Sequence, residues 1–483
     1  MAKPNQKEKQ NPNQPLVMKF GGTSVGSAQA ISQAVEIIAA QYQTDKPLVV
    51  VVSAMSGITN QLLACARLAV QGDQSGYQQA IANLNNRLAD VINQLFPDQA
   101  PRDVLERELQ KWVEKLANYC ASISTMREIT NRGLDAISSL GERFNARLIS
   151  ALLEKNGFPS QPIDADQIII TDDNYQNAKP LRAPTCKQVD AILKPLLRKQ
   201  VLPVVTGFIG GTQSGITTTL GRGGSDYSAA IIGDCLDAAA VWTWTDVDGV
   251  MTADPNIVPD ARVIESLTFD EVSEMAYFGA KVLHPKTMRP LINRDIPLWV
   301  KNTFNPSRAG TCIINTSKKN MGKVTCVTAI RDVSLITVHG KGMLGVPGVA
   351  ARTFAAVARE NASVLMISQS SSEQSICFVI PSSDEHGVVR SLKKELSFEL
   401  SRGDIDAVKT LSNVVIVSAI GAGMRNTPGV SAKIFTALGR DHINVIAIAQ
   451  GSSEYSISLV VAQQDANAAV QQIHTEVIIN GNK

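Results

Sequence analysis

Short apolar runs alternate with helical patterns along the first half of the chain. Leu16–Phe20 has the composition of a strand and ends in glycines, and Leu48–Val52 is a continuous apolar run of strand length. Such runs are typical of parallel strands that are buried on both faces. Between the two runs, apolar residues recur at spacings of three, four and seven, which predicts an amphipathic helix: Ile31, Ala34, Val35 and Ile38.

The same alternation continues to about residue 300. Two further helical stripes are Leu105, Leu109, Trp112 and Leu116, and Leu140, Phe144, Leu148 and Leu152. Strand-like runs return at Val201–Ile209, Ala240–Thr245 and Pro297–Lys301. Repeated strand–helix–strand order predicts an α/β fold, a three-layer αβα sandwich around a mainly parallel sheet. Ligands of such sheets bind beyond the carboxyl ends of the strands.

The second half of the chain contains an internal repeat. Residues 306–330 are rich in Asn, Ser, Gly and Lys and predict a linker. After it, Gly340–Ile380 aligns with Gly421–Val461 without gaps, with identity at 19 of 41 positions. Each copy has the pattern strand, Gly/Pro turn, helix, strand, Ser-rich turn, strand. Pro347 and Pro428 fit the first turn of the helix, where a missing N–H costs nothing.

The repeat also weakens a motif match. Gly340-Lys-Gly342-Met-Leu-Gly345 has the spacing of a dinucleotide-binding fingerprint, with Glu360 twenty residues further on. In the second copy, Asn426 stands where the third glycine would be. The feature that the copies share is therefore a different turn, and we do not expect a dinucleotide here.

Composition narrows the class of protein. Of the 483 residues, 44% are hydrophobic and 19% are charged, with a net charge of +2. These values are typical of a globular protein and give no electrostatic reason to expect nucleic acid or a membrane as a partner. No apolar run reaches the roughly 18–20 residues of a membrane span. Residues 1–15 are polar, which predicts a disordered tail rather than a secretory signal.

Cysteines and histidines show no ligand spacing. The seven cysteines are far apart and form no Cys-x-x-Cys pair, and the five histidines are equally scattered. This argues against a disulfide framework and structural zinc. We therefore predict reduced cysteines, a cytoplasmic location and no metal site built by the protein.

Two glycine-rich turns are candidates for binding an anion. Lys19-Phe-Gly21-Gly22 lies where a strand ends and a helix begins, and Gly221-Arg222-Gly-Gly-Ser225-Asp226 precedes a helical stripe. Backbone N–H groups of such turns and a helix N-terminus favour an anion. The alternatives are a plain turn with an exposed Lys19 and a helix cap formed by Asp226. A cap does not explain an arginine flanked by three glycines.

Other polar motifs have two interpretations each. Ser53–Thr59 follows a predicted strand and suits substrate contacts, but it is equally good as a turn. Ser139 and Glu142 have the spacing of a capping box, which we favour from these residues alone. Asp246 and Asp248 close a strand and suit either Mg²⁺ with a nucleotide or a turn. Lys281, between apolar residues, suits either a phosphate or an exposed position.

These motifs together resemble aspartate kinase. In order they are KFGGTS (19–24), SAMSGITN (53–60), SLGER (139–143), TTTLGRGGSDYSAA (217–230), WTDVDGV (244–250), DPNIVPDAR (254–262) and FGAKVLHP (278–285). The repeat is similar to tandem ACT regulatory domains, particularly those of threonine-sensitive aspartate kinase–homoserine dehydrogenases. Since the chain stops at Lys483, we expect a monofunctional kinase. The resemblance implies an amino-acid-kinase domain at 16–305 and two ferredoxin-like ACT units at 331–410 and 411–483, whose last strand could complete the first unit.

The family phosphorylates the β-carboxylate of L-aspartate with MgATP, in the first step towards lysine, threonine and methionine. A carboxylate is already a nucleophile, so no general base is needed, and catalysis is expected to be charge neutralisation and positioning. The resemblance implies catalytic roles for Lys19 and Asp226. It implies aspartate contacts for Ser53, Thr59, Glu142, Arg222 and Ser225. It implies ATP contacts for Lys19, Gly21, Gly22, Thr245, Asp246, Met251, Lys281 and Val282. The chain departs from the family at Met251, often aromatic, and at Asn256, often arginine.

The resemblance also implies feedback regulation. The family binds an amino acid between paired ACT units, here at Gly345, Val346, Pro347, Gly348, Gln369, Asn426 and Gln450. Lysine-sensitive relatives use an Asp where this chain has Leu365, whereas threonine-sensitive relatives have Ile-x-Gln, as at Ile367–Gln369. Threonine is therefore the expected effector, and ACT pairing implies a homodimer or a larger assembly. The glutamines could instead only hydrogen-bond neighbouring strands.

Two other functions remain open from the sequence. Another amino-acid kinase of this fold, acting on glutamate or acetylglutamate, is disfavoured by the motifs at Glu142 and Lys281 and by the ACT pair. A catalytically silent amino-acid sensor is disfavoured because Lys19, Arg222 and Asp226 are all present.

Overall fold

The structure is a computed structural model that describes residues 14–44, 46–280, 283–316, 322–343, 348–369, 374–424, 427–450 and 455–482. The chain divides into two compact units. The first comprises Met1–Val250, Glu265–Phe269 and Leu283–Thr316, and the second comprises Met251–Ile264, Asp270–Val282 and Ser317–Lys483. None of the helices in these ranges combines the length and the apolar character that a membrane span needs.

The strands, in chain order, are β1 Leu16–Phe20, β2 Leu48–Val52, β3 Ser160–Ile163, β4 Ile170–Thr171, β5 Leu202–Thr206, β6 Ile209–Thr212, β7 Thr217–Thr219, β8 Ala240–Thr245, β9 Ser266–Thr268, β10 Leu298–Asn302, β11 Thr311–Ile314, β12 Cys326–His339, β13 Met366–Gln369, β14 Ser375–Pro381, β15 Ala407–Ile420, β16 Ala447–Ala449 and β17 Ser456–Ala462. The helices are α1 Ala28–Tyr42, α2 Ile58–Gln71, α3 Gln74–Leu95, α4 Gln99–Met126, α5 Asn131–Ser138, α6 Leu140–Lys155, α7 Arg182–Arg198, α8 Gly224–Leu236, α9 Phe269–Tyr277, α10 Pro285–Ile292, α11 Val349–Arg359, α12 Glu385–Glu395, α13 Ser397–Arg402, α14 Val430–Arg440 and α15 Ala466–His474.

The first unit is a three-layer sandwich, as predicted. Its main sheet has the strand order β3-β5-β2-β1-β8-β10-β11-β9, and the pairs from β3 to β10 are all parallel. All five residues of β2 are buried, which explains its continuous apolar run. Helices α1 and α6 pack against one face of the sheet, and α7 and α8 pack against the other. The carboxyl ends of the central strands meet at one edge, where the candidate site lies.

The second unit contains one six-stranded antiparallel sheet in the order β13-β14-β12-β15-β17-β16. The long strands β12 and β15 each serve both copies of the repeat. Residues 333–339 of β12 pair with β14, and residues 326–330 pair with β15 beside β17. Each copy thus has the strand order 2-3-1-4 of a ferredoxin-like fold, and its fourth strand comes from the strand that begins the other copy.

Several expectations about elements are wrong. The predicted linker 306–330 contains β11 of the main sheet and the start of β12. The expected single strand Val201–Ile209 is two strands in different sheets, β5 and β6. The strand that completes the first copy is residues 407–411, not the end of the chain, which is helical. Pro428 lies before Gly429, the N-cap of α14, rather than in its first turn, and Pro347 lies outside the described residues.

The expectation that the cysteines are all reduced is also wrong. Cys186 on α7 and Cys235 on α8 form a disulfide, with their Cα atoms 4.8 Å apart. The pair is separated by 49 positions in the sequence, so no local spacing marks it. The disulfide joins two helices that pack on the same face of the main sheet.

Candidate active site

A cavity of about 550 Å³ opens in the first unit where β1, β2 and β5 end. It brings together most of the residues that the motifs singled out. Its lining includes Lys19, Gly22, Ser53, Thr59, Glu142, Arg222, Ser225 and Asp226. The location follows the rule that ligands of parallel sheets bind beyond the carboxyl ends of the strands.

A nearly buried ion pair lies in this cavity. Lys19 Nζ is 2.8 Å from Asp226 Oδ1, and the two side chains are 9% and 21% exposed. The hydroxyl of Thr243, on β8, donates a hydrogen bond of 3.3 Å to the same Asp226 oxygen. Lys19 is on β1 and Asp226 is in the first turn of α8, so the sheet and the helix hold the two partners independently. Most of the surface of both side chains is shielded from solvent, which strengthens the attraction between the two charges.

The first glycine turn packs against the loop after β2. The Gly21 N–H donates to the carbonyl of Trp244 at 3.0 Å, and the Ser56 N–H donates to the carbonyl of Gly22 at 3.0 Å. A Cβ atom at Gly22 would lie 3.1 Å from the carbonyl oxygen of Ala54. Glycine at this position therefore allows the close approach of two loops that both line the cavity.

The second glycine turn presents Arg222 to the solvent side of the cavity. Gly221 and Gly223 have φ values of 76° and 71°, in the left-handed region that favours glycine. Ser225, in the first turn of α8, packs closely on Gly207. A Cβ atom added to Gly207 would lie 2.6 Å from the Cβ atom of Ser225. Lys19 and Arg222 thus line one cavity, the arrangement on which the predicted chemistry depends.

Glu142 does not form the capping box that its spacing suggested. The Ser139 hydroxyl donates to the carbonyl of Ala136, and Ser139 makes no side-chain cap of α6. Glu142 is 4% exposed, and its Oε2 atom has no hydrogen-bond partner among the described residues. Burial raises the pKa of this carboxyl to about 8, while a hydrogen bond from the Ala54 backbone opposes the shift. A buried carboxyl facing a cavity is suited to receive a cationic group.

Sequence reasoning missed three residues of the cavity wall: Gln176, Phe208 and Thr219. Asp135, which is fully buried, holds two of them. It accepts hydrogen bonds from the Thr219 hydroxyl at 2.6 Å, from the Thr219 N–H at 3.1 Å and from the Gln176 N–H at 3.1 Å. Phe208 comes two residues after the end of β5, so its position after a strand end could have identified it. Gln176 and Asp135 carry no such signal.

The residues expected to contact ATP are only partly brought together. Gly21 and Gly22 follow β1, and Thr245 ends the adjacent strand β8, with Asp246 after it. The Thr245 hydroxyl donates to Asp246 Oδ1 at 3.1 Å. Asp248, an alternative Mg²⁺ ligand, instead accepts hydrogen bonds from the amides of Asn302 and Asn305. Met251 belongs to the second unit, where it pairs with Val263. Lys281 and Val282 lie outside the described residues.

The residues expected to bind an effector are all in the second unit. Gly348 and Gly429 are the N-caps of α11 and α14, with φ values of 92° and 90°. Gln369 ends β13 and Gln450 follows β16, and both side chains are exposed. The remaining members of the set, Gly345, Val346, Pro347 and Asn426, lie outside the described residues.

Comparisons with known proteins agree with this architecture. The amino acid kinase family matches residues 14–302, and the ACT domain matches residues 336–396 and 417–477. Over 97% of its length the chain is 34% identical to a bifunctional aspartokinase/homoserine dehydrogenase of Haemophilus influenzae, of which it covers 57%. The chain thus spans little more than half of that relative.

Relatives of similar length are aspartokinases. The chain is 35% identical to aspartokinase 2, chloroplastic, of Arabidopsis thaliana over 95% of this chain and 83% of that protein. E. coli aspartokinase III, solved with aspartate and ADP, aligns with a TM-score of 0.77 and 30% identity, over 96% of this chain and 99% of that one. The same enzyme solved with lysine and aspartate aligns with a TM-score of 0.78, at the same identity and coverage. The chain belongs to the amino acid kinase family and, within it, to the aspartokinases.

Proposed function

We propose that the chain is an aspartate kinase, which transfers the γ-phosphoryl group of ATP to the β-carboxylate of L-aspartate and forms 4-phospho-L-aspartate and ADP. The observation that carries this proposal is the single cavity in which Lys19, Asp226, Glu142 and Arg222 meet at the ends of parallel strands. The E. coli relative solved with aspartate and ADP supports the same substrates.

The cavity offers a complementary group for each charge of aspartate. Arg222 is placed to hold the α-carboxylate by its planar guanidinium. Glu142, when ionised, pairs with the α-ammonium, and Ser53, Thr59 and Ser225 complete the polar wall. These contacts leave the β-carboxylate on the side of Lys19. An uncharged acyl-amino group would lose the pairing with Glu142, which favours aspartate over acetylglutamate.

Phosphoryl transfer then needs charge neutralisation rather than a base. An oxygen of the β-carboxylate attacks the γ-phosphorus, a new O–P bond forms, and the bond to the β–γ bridging oxygen breaks to release ADP. Lys19 neutralises charge on the transferring group, and Asp226 holds Lys19 in position across 2.8 Å. Gly21, Gly22, Thr245, Asp246, Met251, Lys281 and Val282 are the proposed ATP contacts. Mg²⁺ arrives as part of the substrate MgATP.

One assay distinguishes this function from its alternatives. The acyl phosphate is trapped with hydroxylamine after incubation with ATP and aspartate, glutamate or acetylglutamate. We expect hydroxamate with aspartate alone, and its formation only with another substrate would identify a different amino-acid kinase. No product with any of them would identify a silent sensor.

The role of Lys19 has its own test. Lys19→Ala is expected to lower kcat by at least about 100-fold, the usual loss when a group that stabilises transition-state charge is removed. Lys187→Ala, which removes an exposed lysine of α7, is the matched control and should keep wild-type turnover. Near-normal turnover of Lys19→Ala would contradict the proposed role.

We further propose that threonine inhibits the enzyme at the ACT units, in a homodimer or a larger assembly. Support comes from Gln369 and Gln450, which occupy equivalent positions at the edges of the six-stranded sheet. Threonine should inhibit wild type, and Gln369→Ala should raise the half-inhibiting concentration by tenfold or more. Gln161→Ala, an exposed glutamine of β3, is the control. Inhibition by lysine and not by threonine would reverse the choice of effector.

A further inference from the structure

A second cavity, of about 590 Å³, lies beside the candidate active site in the first unit. The loop after β4, the second glycine turn and the start of α10 form its walls. Its lining residues are Gln176, Asn177, Lys179, Pro180, Gly221, Arg222, Tyr227, His284, Lys286 and Arg289. Gln176, Gly221 and Arg222 line both cavities, so the two are neighbours that share one wall.

The charged side chains that line this cavity are all basic. Lys179, Arg222, Lys286 and Arg289 line it, and no Asp or Glu does. Within the described part of the chain, none of these four side chains forms an ion pair. Asp172, whose charge acts on Lys286, forms no ion pair with it and accepts the backbone N–H groups of Asn174 and Lys179. Four cations from three chain segments therefore line a cavity whose wall holds no acidic side chain.

Lys286 is held in place by neutral groups only. Its Nζ donates to Asn177 Oδ1 at 2.8 Å and to the carbonyl of Leu220 at 3.2 Å, and it lies 5.4 Å from the centre of the Tyr227 ring. The pKa of Lys286 is lowered by burial and by Lys179, and Asp172 opposes this shift without cancelling it. The pKa of the neighbouring His284 is lowered by burial and by Lys286 and Arg222. The cations thus repel one another, and a bound anion would relieve that repulsion.

We propose that this second cavity binds the phosphate group of a small phosphomonoester. A dianion suits a cavity lined by four cations and by no carboxylate, and the guanidinium groups of Arg222 and Arg289 match phosphate oxygens in pairs. The volume exceeds that of phosphate alone, so the organic part of the ligand lies along Tyr227. Because Arg222 faces both cavities, a bound phosphate draws its guanidinium away from aspartate and raises the KM for aspartate. This coupling rests on the proposed function, whereas the phosphate site itself does not.

Direct binding to the full-length chain tests the site without relying on activity. Inorganic phosphate and glycerol 3-phosphate are titrated by calorimetry, with ionic strength held constant by chloride. We expect one site per chain, at least tenfold weaker affinity in Lys286→Ala/Arg289→Ala, and unchanged affinity in Arg198→Ala/Lys199→Ala. The control removes two exposed cations at the end of α7. Tighter binding of glycerol 3-phosphate than of inorganic phosphate identifies an organic ligand.

Kinetics test the coupling to aspartate. Inorganic phosphate should raise the KM for aspartate in wild type and in the control variant, but not in Lys286→Ala/Arg289→Ala, whose activity without phosphate should stay within twofold of wild type. Equal phosphate affinity in all three proteins would overturn the proposal. It would be overturned too if the double variant raised the KM for ATP tenfold, because the cavity would then belong to the nucleotide. If the wild-type chain binds phosphate but has no kinase activity, and Lys286→Ala/Arg289→Ala loses that binding, the proposed function is refuted and the phosphate site stands.

Discussion

The protonation of Glu142 should control the affinity for aspartate between pH 7 and pH 8.5. Burial raises the pKa of this carboxyl to about 8 in the ligand-free chain. At pH 7 only about one molecule in eleven therefore carries the ionised form, since each pH unit below the pKa lowers that fraction tenfold. The proposed pairing with the α-ammonium of aspartate needs that ionised form.

The size of the effect follows from the cost of deprotonation. The apparent KM for aspartate scales as 1 + 10^(pKa − pH), which is about 11 at pH 7 and about 1.3 at pH 8.5. The KM should thus fall about eightfold over this range, equivalent to about 1.2 kcal/mol of binding free energy. The sign is fixed by the chemistry, since binding releases a proton and higher pH favours it. A carboxyl with an ordinary pKa would be fully ionised throughout this range and would give no change.

Steady-state kinetics with the hydroxamate assay, at saturating ATP, measure this dependence. Glu142→Gln should have a high KM that no longer changes with pH, because its amide does not titrate and cannot pair with an ammonium. Glu154→Gln, at the exposed end of the same helix, is the control and should keep the eightfold change. A wild-type KM that is flat from pH 7 to pH 8.5, or an equal slope in Glu142→Gln, would refute the reasoning.

Two other predictions concern groups outside the substrate's direct contacts. Asp135→Asn replaces the carboxylate that accepts hydrogen bonds from Gln176 and Thr219. The variant should raise the KM for aspartate about tenfold and change kcat less than threefold. A loss of kcat alone would contradict a positioning role for Asp135. Cys186→Ser opens a disulfide that closes a loop of 49 positions, so the free energy of unfolding in urea should fall by about 2–4 kcal/mol under oxidising conditions and change little in dithiothreitol. Cys312→Ser, which removes a cysteine that is not in a disulfide, is the control. Equal losses in both redox conditions would show that the disulfide does not contribute.

The sequence predicted elements best where one local pattern decides the structure. β2 was predictable because a continuous run of five apolar residues is typical of a buried strand, and all five residues are buried. The expected strand Val201–Ile209 was wrong because its apolar residues continue across a turn. Gly207 packs against Ser225 of α8, and Phe208 adopts a φ of 67°. That contact joins residues from different elements, so the local spacing of apolar residues does not reveal it.

The candidate site was predictable where glycines and charges stand at strand ends. Lys19 and Arg222 were found in this way, and one cavity contains both. Glu142 was misread from its residues alone as part of a capping box, because the same spacing serves both roles and only burial separates them. Asp135 was missed because its partners come from distant places in the sequence, Gln176 from a later loop and Thr219 from the end of β7.

The structure also revises where the kinase sequence ends and the regulatory sequence begins. Residues 251–264 and 270–280 lie within the region that matches the amino acid kinase family, yet they pack in the second unit. Ala253 and Val258 belong to the same apolar core as Ile434 and Leu459 of the second repeat copy. The composition of these segments does not distinguish them from their neighbours. They complete an apolar core whose other residues come some 70 to 220 positions later, so no local pattern reveals their place.

This packing suggests how binding of the proposed effector could change the affinity for ATP. Thr252 bonds to buried His474 of α15 at 2.9 Å, and Glu271 accepts the backbone N–H of Ala422 at 3.1 Å, directly after β15. The segment that carries Met251, a proposed ATP contact, is therefore hydrogen-bonded to the second repeat copy. If an effector binds more tightly to one of two arrangements of that copy, it shifts the equilibrium towards that arrangement. The shift in free energy equals the difference between its binding free energies for the two arrangements. Inhibition by threonine should accordingly weaken as ATP is raised, and inhibition that is unaffected by ATP would contradict this coupling.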